Sequence, residues 1–267
     1  MSLSSTTGAY PRCREFLPET DVVDGKFRLR FARNAHELDA ILQLRFEVFN
    51  LELHEGLASS FATGRDEDEF DMVCHHLMVT DIATDKVVGT YRMQTVEMAG
   101  SLQGFYSFSE FDLASVPRKV LAQSVELGRA CVAQQYRSKQ VLNLLWRGLA
   151  RYLRHNCKRY LFGCCSLTSQ SPAEGKRVMD YLATHDHVHP HLQILPHAEY
   201  LCYPEGFIAP EENPVALPRL MQIYLMIGAK ICGPPALDRR FKTIDYLALF
   251  DVHHLDPRSV KFFFREE

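Results

Sequence analysis

The chain has 267 residues, 46% of them apolar and 24% charged, with a formal net charge of -3. That length and apolar content support one large folded domain or two small ones and argue against disorder. The slightly negative charge excludes a general nucleic-acid binder, so no nucleic-acid partner is expected, and no apolar run reaches the roughly 18 residues that cross a bilayer.

The eight cysteines (Cys13, Cys74, Cys131, Cys157, Cys164, Cys165, Cys202 and Cys232) show no Cys-x-x-Cys spacing. Reduced, mostly buried thiols in a cytoplasmic protein are the simplest expectation, with peripheral membrane contact still compatible. Residues 1–25 read as a flexible N-terminal extension and residues 26–267 as a single domain.

Lys26-Phe-Arg-Leu-Arg-Phe31 alternates strand formers and predicts a first strand. Asn34 with Glu37 is an N-cap and its third-residue partner, opening a helix to about Leu51. Leu38, Ile41, Leu42, Val48 and Phe49 form one stripe of that helix, and Arg45 falls inside it. It either snorkels to the surface or enters an ion network. In the acidic loop Gly64-Arg-Asp66-Glu-Asp68-Glu-Phe70-Asp71, Asp66, Glu67 and Glu69 read as solvated. Asp68 and Asp71 flank Phe70, which draws at least one of them inward.

Residues 75–81 and 86–96 read as two strands joined by a hairpin turn, with His75 and His76 as strand-edge residues rather than ligands. Arg92 lies mid-strand on the face of Val88, Thr90 and Gln94. The aromatic stretch 105–113 is either a flap over an apolar pocket or a packed connection.

Residues 122–132 form a predicted strand with an acid and a base, Glu126 and Arg129, in its middle. Three residues apart, these point to opposite faces of a regular strand. Serving one cleft requires an extra residue, and Gly128 is the natural bulge site. Arg45, Arg92 and Arg129 then balance Asp68, Asp71 and Glu126, the equality a desolvated network requires.

A helix from about Ser138 to Asn156 follows, and the free N–H groups of its first turn suit an anion. An ionisable pair beside such a turn fits a nucleophile meeting a phosphate-bearing donor. Arg147, Arg151, Arg154 and Lys158 line one face of the helix, and no acid occurs from Ala130 through Ala173. That face is solvated or docks an acidic partner such as an acyl carrier protein.

Residues 160–166 read as a short buried strand and 172–183 as a helix. His185, His187, His189 and His191 alternate, but no carboxylate or thiol at zinc spacing joins them, and no metal is assigned. The proline-rich segment 199–218 wraps the surface or covers a site. A helix over 218–227 and a last strand over 243–252 follow.

Arg45-x-x-x-Phe49, Asp68-x-x-Asp71, Gly89-Thr-Tyr-Arg92 and Glu126-x-x-Arg129, in that order, resemble the signature of acyl-homoserine-lactone synthases. Those enzymes have the fold of GCN5-related N-acetyltransferases. The likeness is closer to the ornithine N-alpha-acyltransferases, often labelled haemolysin-like. It is carried by Asp68-Glu-Phe-Asp71, by Leu161-Phe-Gly-Cys-Cys-Ser166, and by the segment from Leu217-Pro-Arg-Leu through Tyr224 and Asp238 to Phe241-Lys-Thr-Ile-Asp245.

The resemblance covers about residues 27–260. It implies an α/β fold, a GCN5-related N-acetyltransferase-like mixed central sheet with flanking helices and a C-terminal part of its own from about 185 to 267. It implies transfer of a (3-hydroxy)fatty acyl group from acyl carrier protein to the α-amine of ornithine, giving lyso-ornithine lipid. Alternatives are an N-acyl amino acid synthase or autoinducer-type synthase using another amine, and, of another class, a non-catalytic membrane-active haemolysin-like protein.

Ordinary acetyltransferases carry a glycine-rich turn for the pyrophosphate of coenzyme A. Here Gln135-Tyr-Arg-Ser-Lys-Gln140 lacks glycine, which fits acyl-phosphopantetheine presented by a carrier protein, with no permanently bound cofactor. Under this resemblance Glu126 is the general base, and backbone N–H groups around Ala130, Cys131 and Val132 stabilise the oxyanion. Arg137 and Ser138 hold the donor phosphate. Asp68 or Asp71 binds the side-chain ammonium of ornithine and an arginine its carboxylate.

Overall fold

The computed structural model describes residues 10–100, 104–210, 215–255 and 264. Alternating apolar side chains give the hairpin of β1 (Asp21–Asp24) and β2 (Phe27–Phe31). Asn34 caps α1 (Ala35–Arg45) by accepting from the Glu37 N–H, and the helix loosens into a π-helical turn over Phe46–Glu52. One turn of helix, α2 (Ser60–Thr63), leads into the acidic loop and the hairpin of β3 (His75–Asp81) and β4 (Lys86–Thr95).

Two short helices, α3 (Val96–Gly100) and α4 (Arg118–Ala122), bracket the aromatic stretch. Then come β5 (Ser124–Val132), α5 (Lys139–His155), β6 (Tyr160–Leu167) and α6 (Pro172–Thr184). They are followed by α7 (Arg219–Met226), β7 (Lys230–Ile231), β8 (Ala236–Asp238) and β9 (Thr243–Asp251).

Among the described residues nine strands make one mixed sheet, ordered β1-β2-β3-β4-β5-β6-β9-β7, with β8 also on β9. Every pairing is antiparallel except β5 with β6. One face carries α5, which lays Val141, Leu144, Leu145 and Leu149 on Leu29, Leu77 and Met93. α6 and α7 extend that layer over Cys165 and Tyr246. The strand alternation sends Met78 to the opposite face, where α1 covers it with Leu38, Ile41 and Leu42. The aromatic stretch continues this second layer, with Phe105 and Phe111 on Phe162 and Leu247.

The expected N-terminal extension is shorter than 25 residues. Leu17 and Val22 lie in the core, β1 pairs with β2, and the Tyr10 hydroxyl meets His76 Nδ1 at 3.0 Å. Residues 1–9 lie outside the described residues. The sequence also hid β7 and β8, which are too short to show an alternating pattern. No helix among the described residues is long and apolar enough to cross a membrane.

The feature that creates the site is a fork in the sheet. β5 and β6 pair only from Ser124–Glu126 against Tyr160–Phe162 and then part. At the fork Gly163 has φ +157°, and a Cβ there would stand 2.2 Å from the Leu127 carbonyl oxygen. Beyond it β5 has β4 on one side and a gap on the other, so backbone groups on the open side lack a strand partner.

Because the clash at Gly163 is with backbone, Gly163→Ala is expected to destabilise the protein by about 1–3 kcal/mol. Denaturant titration checks this; an unchanged midpoint would show that the fork does not need the glycine.

Candidate active site

The three arginines that the sequence places at buried positions meet a matching set of aspartates. Arg45 is 1% exposed and bonds Asp66 Oδ1 through Nε at 2.8 Å and Asp71 Oδ1 through Nη1 at 2.5 Å. Arg92 Nη1 donates to Asp68 Oδ1 at 2.6 Å and to Asp71 Oδ1 at 3.0 Å. Arg129 bonds Asp66 through Nη2 and, at 3.0 Å, through Nε. The charges therefore alternate as Asp68, Arg92, Asp71, Arg45, Asp66, Arg129. Burial works to raise the Asp66 and Asp71 carboxyls, but the arginines prevail and hold both below the usual range.

Several expectations need correcting here. Asp66 was expected in solvent but is 1% exposed. It takes the place assigned to Glu126, which makes no ion pair with any arginine of this set. Asp68 and Asp71 are also fully engaged by Arg45 and Arg92, so neither is available for the ammonium of an acceptor. The signal for Asp66 was arithmetic: three buried arginines need three anions, and Glu126 filled the count wrongly. His75 and His76 are likewise wholly buried rather than peripheral, with His76 Nε2 3.3 Å from Asp71 and His75 Nδ1 2.8 Å from the Tyr152 hydroxyl.

The bulge is present. Arg92 pairs with Gly128 but Thr90 with Cys131, so β5 carries one extra residue between them. The residue with positive φ is Arg129, at +46°, rather than the expected Gly128. A non-glycine residue holds that conformation only under constraint. Asp66 and the rings of Phe49 and Phe241, 4.1 and 4.6 Å from the guanidinium carbon, supply it.

Glu126 lies at the fork, 6% exposed. It accepts from the Tyr106 N–H at 2.7 Å, the Ser107 N–H at 2.8 Å and the Ser107 hydroxyl at 2.5 Å. The aromatic stretch is thus a packed connection that presents two backbone N–H groups to the carboxylate. Burial raises the Glu126 pKa, and these donors together with Arg92 only partly offset it. Three donors on a carboxylate leave room for one more proton.

A cavity of about 660 Å³ opens from the fork. Glu126, Arg92 and Arg129 line it, as do Ala130, Cys131, Val132, Arg137 and Ser138, while Arg45, Asp68 and Asp71 stand behind the wall. Its part lined by α5 and α7 is apolar, with Leu145, Trp146, Leu149, Ile223 and Tyr224. Arg137, Lys139 and Arg219, also on its lining, are exposed. Arg137 is shared with Glu52 at 2.6 Å, and Ser138 caps α5 by accepting from the Val141 N–H.

The basic row along α5 is tied into the fold: Lys158 reaches Glu97 and the Ala122 carbonyl, and Arg154 the Phe264 carbonyl. Four further polar side chains escaped the sequence reading. Gln94, opposite Glu126 across β4 and β5, lines the cavity with neither amide atom bonded. Glu110, Asp238 and Asp245 are 1%, 2% and 3% exposed on the same face as Glu126. The visible signal for Asp245 was an acid inside the apolar run Ile244 to Leu247.

Residues 44–147 match the acetyltransferase (GNAT) domain family. The L-ornithine N(alpha)-acyltransferase of Rhizobium meliloti (strain 1021) is 31% identical, covering 98% of this chain and 93% of that protein. The L-ornithine N(alpha)-acyltransferase of Agrobacterium fabrum (strain C58 / ATCC 33970) is 32% identical over 90% of this chain and 85% of that one. Among solved structures, TofI in a ternary complex with an inhibitor and MTA aligns over 90% of this chain and 97% of its own, at 14% identity and a TM-score of 0.49. The mixed sheet with flanking helices is a GNAT fold, as the sequence implied, and the chain belongs to the L-ornithine N(alpha)-acyltransferase family.

Proposed function

We propose that this protein transfers a (3-hydroxy)fatty acyl group from acyl carrier protein to the α-amine of ornithine, giving lyso-ornithine lipid. The observation that carries the reading is the buried carboxylate of Glu126 at the junction of a polar sheet face and an apolar cavity. An acyl chain occupies the part lined by α5 and α7, which places its thioester at the fork. Burying each methylene there contributes about 0.8 kcal/mol to donor binding.

The acceptor approaches from the face that carries Glu126. Its α-ammonium gives a proton to Glu126, and the nitrogen attacks the thioester carbon. The backbone of β5 over Ala130 to Val132, facing the gap, stabilises the oxyanion. The C–S bond then breaks, one of the two protons left on the nitrogen passes to the leaving thiolate, and the other stays on the amide. Arg92, on the cavity wall beside Gly128, holds the acceptor carboxylate. The exposed Arg137, Lys139 and Arg219 receive the pantetheine phosphate and the acidic carrier surface, a role that needs no glycine-rich turn.

Glu126→Gln keeps the shape but cannot take a proton, and kcat for ornithine acylation should fall about 10²–10⁴-fold. A raised carboxyl pKa means that activity is lost as pH falls through it, because the protonated acid is not a base. The pH profile of the wild type should show that limb and the residual activity of the variant should not. Full activity in the variant excludes Glu126 as base.

With purified donors, acyl carrier protein thioesters should be preferred over coenzyme A thioesters. Lys139→Glu and Arg219→Glu together should raise KM for the carrier-bound donor about tenfold or more, a change read by initial rates and weakened by salt. Equal use of both donors, with KM unmoved, removes the carrier protein from the proposal.

A further inference from the structure

Glu110, Asp238 and Asp245 come from three separate segments and meet at the cavity wall, which Asp245 lines and the other two back. A Glu110 oxygen, the Cys164 sulfur and an Asp245 oxygen all lie within 4.8 Å of one another. The Asp238 Oδ2 accepts from the Tyr106 hydroxyl at 3.2 Å. No lysine or arginine forms a salt bridge with any of the three carboxyls among the described residues. Glu110 Oε1, Asp245 Oδ1 and the neighbouring Thr243 Oγ1 are buried with no well-aligned hydrogen bond; what Asp245 has nearby is Glu110, Thr243 and Ser166, and no cation.

This is the reverse of the arginine–aspartate chain a short distance away, where every buried anion has its cation. Buried carboxyls without counter-ions are costly, and their unmade hydrogen bonds add to that cost. Asp245, Thr243 and Cys164 line the same cavity as Glu126. Tyr106 spans the interval: its backbone N–H holds Glu126 and its hydroxyl meets Asp238.

We propose that Glu110, Asp245 and Thr243 form the pocket for the distal ammonium of a diamino-acid acceptor and thereby set the choice of substrate. The proposal rests on the reading of Glu126 as the group that meets the α-amine. An ammonium has three donors and no acceptor, and Glu110, Asp245 and Thr243 offer three oxygens that have only one another and nearby hydroxyls as company. In the absence of acceptor, burial and mutual repulsion push Glu110 well above the usual carboxyl range, and burial with the Asp238 charge lifts Asp245 to about 6. A divalent cation is the other occupant such a cluster brings to mind. It is disfavoured because burial and the adjacent carboxyls keep the Cys164 sulfur a thiol rather than a thiolate ligand.

The test compares ornithine with norvaline, the same amino acid without the distal amine, by kcat/KM in wild type, Glu110→Gln and Asp245→Asn. Wild type should prefer ornithine by about 10⁴-fold, as sites built around a specific polar group do. Each variant should lose about 10²-fold or more on ornithine while norvaline is used as well as before or better. The amides should also fold. A carboxyl raised in the folded state contributes stability at low pH that is lost as pH rises through its folded pKa, so neutral replacements should melt no lower than wild type at pH 7.5.

Equal losses on ornithine and norvaline would overturn the pocket and leave the acyl-transfer reading standing. Failure of wild type to acylate ornithine at all would overturn both. Loss of wild-type activity in EDTA, restored by zinc or manganese, would make the cluster a metal site instead.

Discussion

Three guanidinium groups and three carboxylates cancel one another inside this protein, and the placing of the reactive groups follows from that cancellation. The six are drawn from four parts of the chain: α1 supplies Arg45, the acidic loop Asp66, Asp68 and Asp71, β4 Arg92 and the β5 bulge Arg129. A buried ion pair is not by itself a source of stability, but removing one partner strands the other at a cost of about 3–5 kcal/mol. The alternation makes that constraint collective. Asp71 serves Arg45 and Arg92, Asp66 serves Arg45 and Arg129, and moving any one displaces its neighbours. The loop that carries the aspartates has no regular structure over residues 65–68 and is held by these bonds.

Because the chain of charges is neutral without it, Glu126 is left to a different regime. Its carboxylate is held by N–H and hydroxyl donors of the 105–109 turn, and its pKa moves up where those of Asp66 and Asp71 move down. Two sets of buried acids within one face thus have opposite tendencies. Asp66 and Asp71 are held in the charged form by their arginines, whereas Glu126 is eased toward its protonated form. Environments that separate the pKa values of neighbouring acids are how a site divides labour between structure and chemistry.

How much of this was legible depended on the range over which each signal acts. The helix from Ser138, the β3–β4 hairpin and the cap at Asn34 follow from local spacing, and the structure reproduces them within a residue or two. Arg45 betrayed its burial by interrupting an apolar helix face, and Arg92 by standing in the middle of a strand. The bulge followed from parity, since Glu126 and Arg129 could share a cleft only with an added residue. Its strained position escaped because nothing local marks Arg129 rather than Gly128. The constraint comes from Asp66, Phe49 and Phe241, residues distant in sequence. Glu110 was equally hidden. Within Ser-Glu-Phe-Asp it looks like any surface acid, and only the packing of the aromatic stretch on β6 and β9 buries it.

The fork gives these charges their use. A continuous sheet separates its two faces completely, so an apolar chain lodged under α5 and a polar acceptor under the acidic loop would never meet. Parting β5 from β6 after three residue pairs removes that barrier over a few residues, and Gly163 permits it by letting the Leu127 carbonyl approach where a side chain would stand. The opening leaves backbone groups of β5 without a strand partner, where the proposed reaction needs donors for its oxyanion. It also sets Glu126, the last residue of β5 still paired with β6, at the boundary of both compartments. A single loss of strand pairing therefore supplies the passage and, in the proposed reaction, the oxyanion donors and the position of the base. The arginine–aspartate chain keeps the strand that bears them from closing or shifting register.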